Sequence, residues 1–226
     1  FAGTDAGNLL AHNVSSQQLD HSISLGDGVR TLSLSPDGRV LAASHGSSVS
    51  LINTTSMQEF DNITSFSGRL DHIGISPDGG RLAVVNQTGH LFVLNLSNSS
   101  IIVNRSVSLD SVNSIAWSPL GSTIAVGGVA ATGDAEGRVV RLYNVGENST
   151  EETLGSGWSQ HATSLSWSRT GSSLLIGLGN ASAHLMVEER GWLTLRGLAS
   201  LKDTATTVLD DWDGLVGPYE YITTSQ

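Results

Sequence analysis

A chain of 226 residues with a formal charge of −10, a single lysine (Lys202) and no cysteine is poorly suited to nucleic acid or an anionic membrane surface, both of which select basic faces. It can form no disulfide and do no thiol chemistry. Its longest uncharged run, 82–104, is broken by Asn, Gln, Ser, Thr and Gly, so no segment reads as a membrane span.

The length suits one domain, since an all-β domain reaches this size without dividing. The first residue is Phe1 rather than Met, as expected of a processed mature protein or of a fragment.

In chain order, residues 1–14 read as the end of one strand, a Thr-Asp-Ala-Gly turn and a further strand at 9–13. Residues 19–25 follow as an outer strand. The stretch 29–51, VRTLSLSPDGRVLAASHGSSVSL, then sets the pattern for the rest. Alternating apolar residues (Val29, Leu32, Leu34) run into Ser-Pro-Asp-Gly, a second apolar run begins at Val40, and a third follows a Gly/Ser turn. Strict alternation means strand, and Pro-Asp-Gly between two such runs is a turn: proline presets φ, aspartate bonds nearby backbone and glycine takes the positive φ.

The turn recurs at Ser76-Pro77-Asp78-Gly79, Ser118-Pro119-Leu120-Gly121 and Ser168-Arg169-Thr170-Gly171. The apolar run before it recurs as Leu70/Ile73/Ile75, Val112/Ile115/Trp117 and Ala162/Leu165/Trp167, which makes Trp117 and Trp167 core positions. Units of about 40–45 residues with four short strands are the signature of propeller blades, each of which needs neighbours to bury its faces.

The predicted fold class is therefore all-β: a β-propeller of four-stranded antiparallel blades. Repeats span 29–69, 70–111, 112–161 and 162–204, with third strands at 9–13, 49–53, 90–95, 138–144 and 183–187. A fifth, weaker inner strand falls at 205–210, with a second strand at 219–223. A composite blade from 205–226 and 1–28 would then close a five-bladed ring and remove its open edges. The alternative is a piece of a six- to eight-bladed propeller. The third copy carries a Gly-rich insertion at 127–137, read either as a binding loop on the rim or as an ordinary long hairpin loop.

The pattern Val-x-x-Leu-x-Leu-Ser-Pro-Asp-Gly-x-x-Leu-Ala resembles the WD-repeat and YVTN-type propellers over about 29–187. That resemblance implies a fold and no particular function. Where WD repeats close the third strand with Trp-Asp, this chain has His12-Asn13, Ile52-Asn53, Leu94-Asn95, Tyr143-Asn144 and Met186-Val187, and the family's Gly-His dipeptide is missing at the expected place. The intrablade Trp–Ser–His–Asp network of that family does not carry over, and a noncytosolic propeller lineage is the better match.

Asparagine usage is the feature with chemistry in it. Of 12 asparagines, nine begin an Asn-x-Ser/Thr acceptor: Asn13, Asn53, Asn62, Asn86, Asn95, Asn98, Asn104, Asn148 and Asn180. With 52 serines and threonines in 226 residues, chance placement gives about three. Turn composition inflates that expectation but falls short of nine. Glycan transfer needs an accessible asparagine engaged by the hydroxyl two residues on, and all nine are expected in or near turns and loops. Asn53, Asn62, Asn86 and Asn148, with Thr two residues on, are the favoured sites.

Other constellations are weak. The seven histidines (His12, His21, His45, His72, His90, His161, His184) form no short-spaced pair, so each is expected at the surface or a strand end. Asp210, Asp211 and Asp213 echo a calcium loop but lack its distal glutamate. Neither a Gly-x-Ser-x-Gly elbow nor a phosphate-cradling loop is present. Trp158, Trp192 and Trp212 lie outside the inner-strand register, as packing or as a stacking surface.

These observations predict an extracellular or cell-surface glycoprotein without catalysis, cofactor or metal. It would serve surface-layer, adhesion or filament-associated assembly by offering rim loops to a protein or glycan partner, with a homo-oligomer or filament as an open assembly state. A propeller lactonase or hydrolase with a metal in the central channel, and a cytosolic WD-like scaffold, are the alternatives.

Overall fold

A computed structural model describes residues 1–130, 137–146, 151–154, 162–178, 183–189 and 192–197. All regular structure among them is β, with no cis peptide. The chain divides into two compact units, Phe1–Val107 and Ser108–Gln226.

The first unit opens with a three-stranded sheet of β1 (Ala2–Gly3), β2 (Asn8–Asn13) and β3 (Gln18–Ser24). A four-stranded antiparallel sheet follows: β4 (Val29–Leu34), β5 (Val40–His45), β6 (Ser48–Asn53) and β7 (Gln58–Ile63). The next repeats it with β8 (Leu70–Ile75), β9 (Arg81–Asn86), β10 (His90–Asn95) and β11 (Ile101–Ser106). In the second unit, β12 (Leu109–Trp117), β13 (Thr123–Ala130), β14 (Arg138–Asn144) and β15 (Glu151–Thr153) form one such sheet. A further one comprises β16 (Ala162–Trp167), β17 (Ser173–Leu178), β18 (Ala183–Glu189) and β19 (Trp192–Gly197). Every sheet is a meander in which sequence neighbours pair.

A strand pair with both faces apolar needs cover on both, and the middle strands β5, β6, β9 and β10 are buried almost throughout. The cover is the next sheet. Val49, Leu51 and Ile63 of one sheet meet Leu70, Ile73, Leu82 and Val84 of the next in a single cluster, with Phe66 and Phe92 edge to face at 5.3 Å. Leu9 and Val29 pack with Leu41 and Ile52 in a second cluster. In the other unit Val140 and Leu142 pack with Leu165, Leu174 and Ile176.

The inner hairpins of the four full sheets turn in one way. The serine N–H donates to the carbonyl of the residue five positions on, and the serine hydroxyl accepts that residue's N–H: Val40 to Ser35 (2.9 Å), Arg81 to Ser76 (2.9 Å), Thr123 to Ser118 (3.1 Å) and Ser173 to Ser168 (3.0 Å). The glycine N–H of each turn returns to the serine carbonyl, at φ between 67° and 76°, a conformation that L side chains resist. Ser35 and Ser76 also donate to Asp37 and Asp78. Where Leu120 and Thr170 replace the aspartate, the serine bond persists.

Several expectations are corrected. Gly127 and Gly128 belong to β13, paired with Ser114 and Val112, rather than to a loop. Backbone closeness selects them: a Cβ at Gly128 would lie 2.1 Å from the Ser111 carbonyl oxygen. Residues 131–136 of the expected insertion, and the strands expected at 205–210 and 219–223, lie outside the described residues. Trp117 and Trp167 are partly buried rather than full core, and the Trp167 indole N–H reaches out to the Ala116 carbonyl at 3.3 Å. Leu34, at the same register point, is 39% exposed while Ile75 is 9%.

Gly128→Ala is expected to destabilise by about 1–3 kcal/mol through the clash it creates. Gly80→Ala, whose Cβ would find its nearest neighbour at 3.5 Å, should stay within about 0.5 kcal/mol; urea midpoints compare the two. The Ser76 hydroxyl and the Gly80 N–H, aided by Arg81, hold the Asp78 carboxyl below its ordinary 3.8. The bound carboxylate therefore adds stability above about pH 3.8 that is lost as pH falls through the lower folded value. Asp78→Asn should flatten the acid limb of a urea midpoint series between about pH 5 and pH 2.

Candidate functional site

The asparagines fall into three structural classes. The first closes third strands. Asn13 and Asn53 are exposed, and each Oδ1 accepts two backbone N–H groups, from Ser15 and Ser16 (3.0 Å each) and from Thr55 and Ser56 (2.9 and 3.0 Å). Asn95, half-buried, accepts the Ser97 N–H and hydroxyl at 2.8 and 2.7 Å. Asn98 does not close a strand but, in the connection between β10 and β11, holds Ser100 in the same way, at 3.1 and 2.7 Å. In these last two the hydroxyl two residues on already touches the amide, as glycan transfer requires. Only the oxygen is engaged in this class: no described residue bonds Nδ2, the atom that would carry a sugar.

The turn itself explains part of this pattern. Asn144 closes β14 by accepting the Gly146 N–H at 2.8 Å, yet it is followed by Val145-Gly146 and is no acceptor. Asparagine at a strand end is thus a turn device first.

The second class sits within outer strands rather than in loops. Asn62 lies on β7 opposite Ser50, and Asn104 on β11 opposite Phe92. These are equivalent places, each facing the third residue of its partner strand, and both asparagines are exposed.

Asn86 stands alone and departs from the accessible site expected of it. It is 1% exposed. Its Nδ2 donates to the Ser67 carbonyl at 2.6 Å, and its Oδ1 accepts from the Thr88 N–H, the Thr88 hydroxyl and the His90 N–H. A sugar on that nitrogen would break the bond to Ser67 and force its way into a packed turn. Asn86 is a structural residue of the β9–β10 hairpin. Asn148 and Asn180 lie outside the described residues, as do His161, Trp158, Trp212, Asp210, Asp211 and Asp213. Trp192 begins β19.

Sequence reading missed one polar chain. His45, placed in prospect at the surface or a strand end, ends β5 but is only 6% exposed. Its Nε2 lies 2.8 Å from the Ser50 hydroxyl, which donates to Glu59 Oε1 at 2.8 Å. Since Ser50 gives its proton to the carboxylate, Nε2 must carry hydrogen and donate. Activation of a serine needs the reverse, an imidazole that takes the hydroxyl proton, and Ser50 is fully buried. The chain ties three strands of one sheet together. Among the described residues no three His, Cys, Asp or Glu gather as a metal site.

Burial pulls the His45 imidazole below its ordinary 6.5, against the opposing charges of Glu59 and Asp27. The neutral ring therefore contributes stability that is complete above about pH 6.5 and is lost as pH falls through the lower folded value. Ser50→Ala leaves the buried His45 Nε2–H without its partner, while the exposed Glu59 returns to water, and should cost about 1–3 kcal/mol. His45→Gln should remove the loss of stability that sets in below about pH 6.5 in a urea midpoint series.

No protein-family model matches the chain, and no curated protein does. Solved structures do. The chain is similar to Kuenenia stuttgartiensis hydrazine synthase, with 15% identity, a TM-score of 0.68, and 85% of this chain and 60% of that one covered. It is also similar to a chain in the crystal structure of the mitotic checkpoint complex, with 18% identity, a TM-score of 0.73, and 86% and 59% covered. The likeness is one of fold. It is a fold of the β-propeller kind, built from successive four-stranded antiparallel blades. The chain spans about 60% of the length of the structures it matches.

Proposed function

We propose that the chain is a non-catalytic, N-glycosylated binding or assembly module exposed outside the cell, with a blade pattern of the WD or YVTN type. One observation carries this reading. Six described acceptors, Asn13, Asn53, Asn62, Asn95, Asn98 and Asn104, keep an amide nitrogen that no described residue bonds, on asparagines that are exposed or, at Asn95, half-buried. A folded chain can carry sugars at such positions without giving up a contact.

A five-bladed ring belongs to the same proposal. The first sheet has three strands, and β1 is only two residues long, so this sheet lacks an inner strand of its own. Residues 205–226 would supply the missing strands and close the seam. Rigid blades with loops displayed at their ends then serve recognition of a protein or glycan partner.

Glycopeptide mapping of the native protein tests this reading. Sugar is expected at several of the six accessible acceptors and absent from Asn86. Unmodified asparagines throughout would overturn the proposal in favour of a cytosolic scaffold.

A further inference from the structure

We propose that Phe60 and Ile102 are built platforms for the first sugars of glycans on Asn62 and Asn104, a placement that rests on the glycosylated reading above. Three outer strands of the first unit carry a bulge at one register point. The pairing skips Asp20 on β3, Phe60 on β7 and Ile102 on β11. A bulge leaves its extra residue outside the ladder and re-aims the side chain. Two residues further on, the three strands present Ser22, Asn62 and Asn104, each opposite the third residue of the partner strand.

The two positions change together. Where the later residue is an acceptor asparagine, the bulge residue is large and apolar; where it is Ser22, the bulge residue is Asp20. The apolar pair is also left bare, with Phe60 56% and Ile102 50% exposed. Bare apolar side chains on an edge strand invite pairing with another chain, so their retention beside the acceptors needs a reason. Residues two apart on a strand lie about 7 Å apart along it, which brings a sugar linked at Nδ2 within reach of the bulge residue. The sugar ring presents aliphatic C–H groups on its face, and these pack on an aromatic ring or a branched aliphatic side chain while its hydroxyls stay in water. The covered bulge would then be capped at the edge by a polar, hydrated group.

The test is a double-mutant cycle on the secreted, folded chain: wild type, Phe60→Ala, Asn62→Gln and the pair, with occupancy of Asn62 read by mass. Phe60→Ala should weaken folding about two- to tenfold more in unfolding equilibrium constant when Asn62 carries its glycan than in the Asn62→Gln background. A second readout is the ring-current displacement of the first sugar's protons by NMR, present in wild type and lost in Phe60→Leu, which keeps apolar bulk. Additive effects in the cycle with unshifted sugar protons, on an occupied Asn62, overturn the platform and leave the glycoprotein reading intact. An unoccupied Asn62 in the secreted chain overturns the platform, and if every other acceptor is also bare it overturns the glycoprotein reading with it.

Discussion

The bond that a serine hydroxyl accepts from the amide five residues on is the interaction from which the rest of the architecture follows. In a strand, a slip of one residue would send every core side chain to the opposite face. Ser35, Ser76, Ser118 and Ser168 prevent that slip by pairing twice with a single residue, once through backbone and once through the hydroxyl. Once the inner hairpin is in register, Leu41 and Leu82 fall into the core, and the third strand follows in phase. In the first unit the outer strand completes the meander with its bulge at a fixed place.

A second constraint is closeness of packing between neighbouring sheets. The Ser33 hydroxyl accepts the Ile75 N–H at 2.9 Å, and between the same two sheets Ser99, in the β10–β11 turn, donates to Asp61 of β7. In the second unit, Gly127 would place a Cβ 2.8 Å from that of Ala162. Such contacts leave little room for large side chains between sheets.

Much of this was legible in the sequence. Alternation and turn chemistry located the third strands to within a residue or two, because both signals are local. His90–Asn95 and Arg138–Asn144 match the reading outright. What was not legible depends on partners far along the chain. Serine looked like a spectator beside proline and aspartate, since its hydroxyl acquires a role only when the returning strand delivers Val40 or Arg81. His45 and Asn86 are buried by neighbours that no local pattern announces, Ser50 and Glu59 for one and Ser67 for the other. Gly127 and Gly128 resembled loop residues until the approach of Ser111 and Ala162 showed why no side chain fits. Among the acceptors, Asn62 and Asn104 proved to be strand residues, and their equivalence emerged only from the pairing register.

The serine turns set the register, and register decides which asparagines reach the surface. Native-state amide hydrogen exchange measures them directly. The amides of Val40, Arg81, Thr123 and Ser173 should be as protected as the core amides of their own sheets, although each sits at the mouth of a hairpin where fraying is ordinarily fast. Exchange at the rate of exposed loop amides would show that the hydroxyls do not hold the turns, and the register would then need another cause.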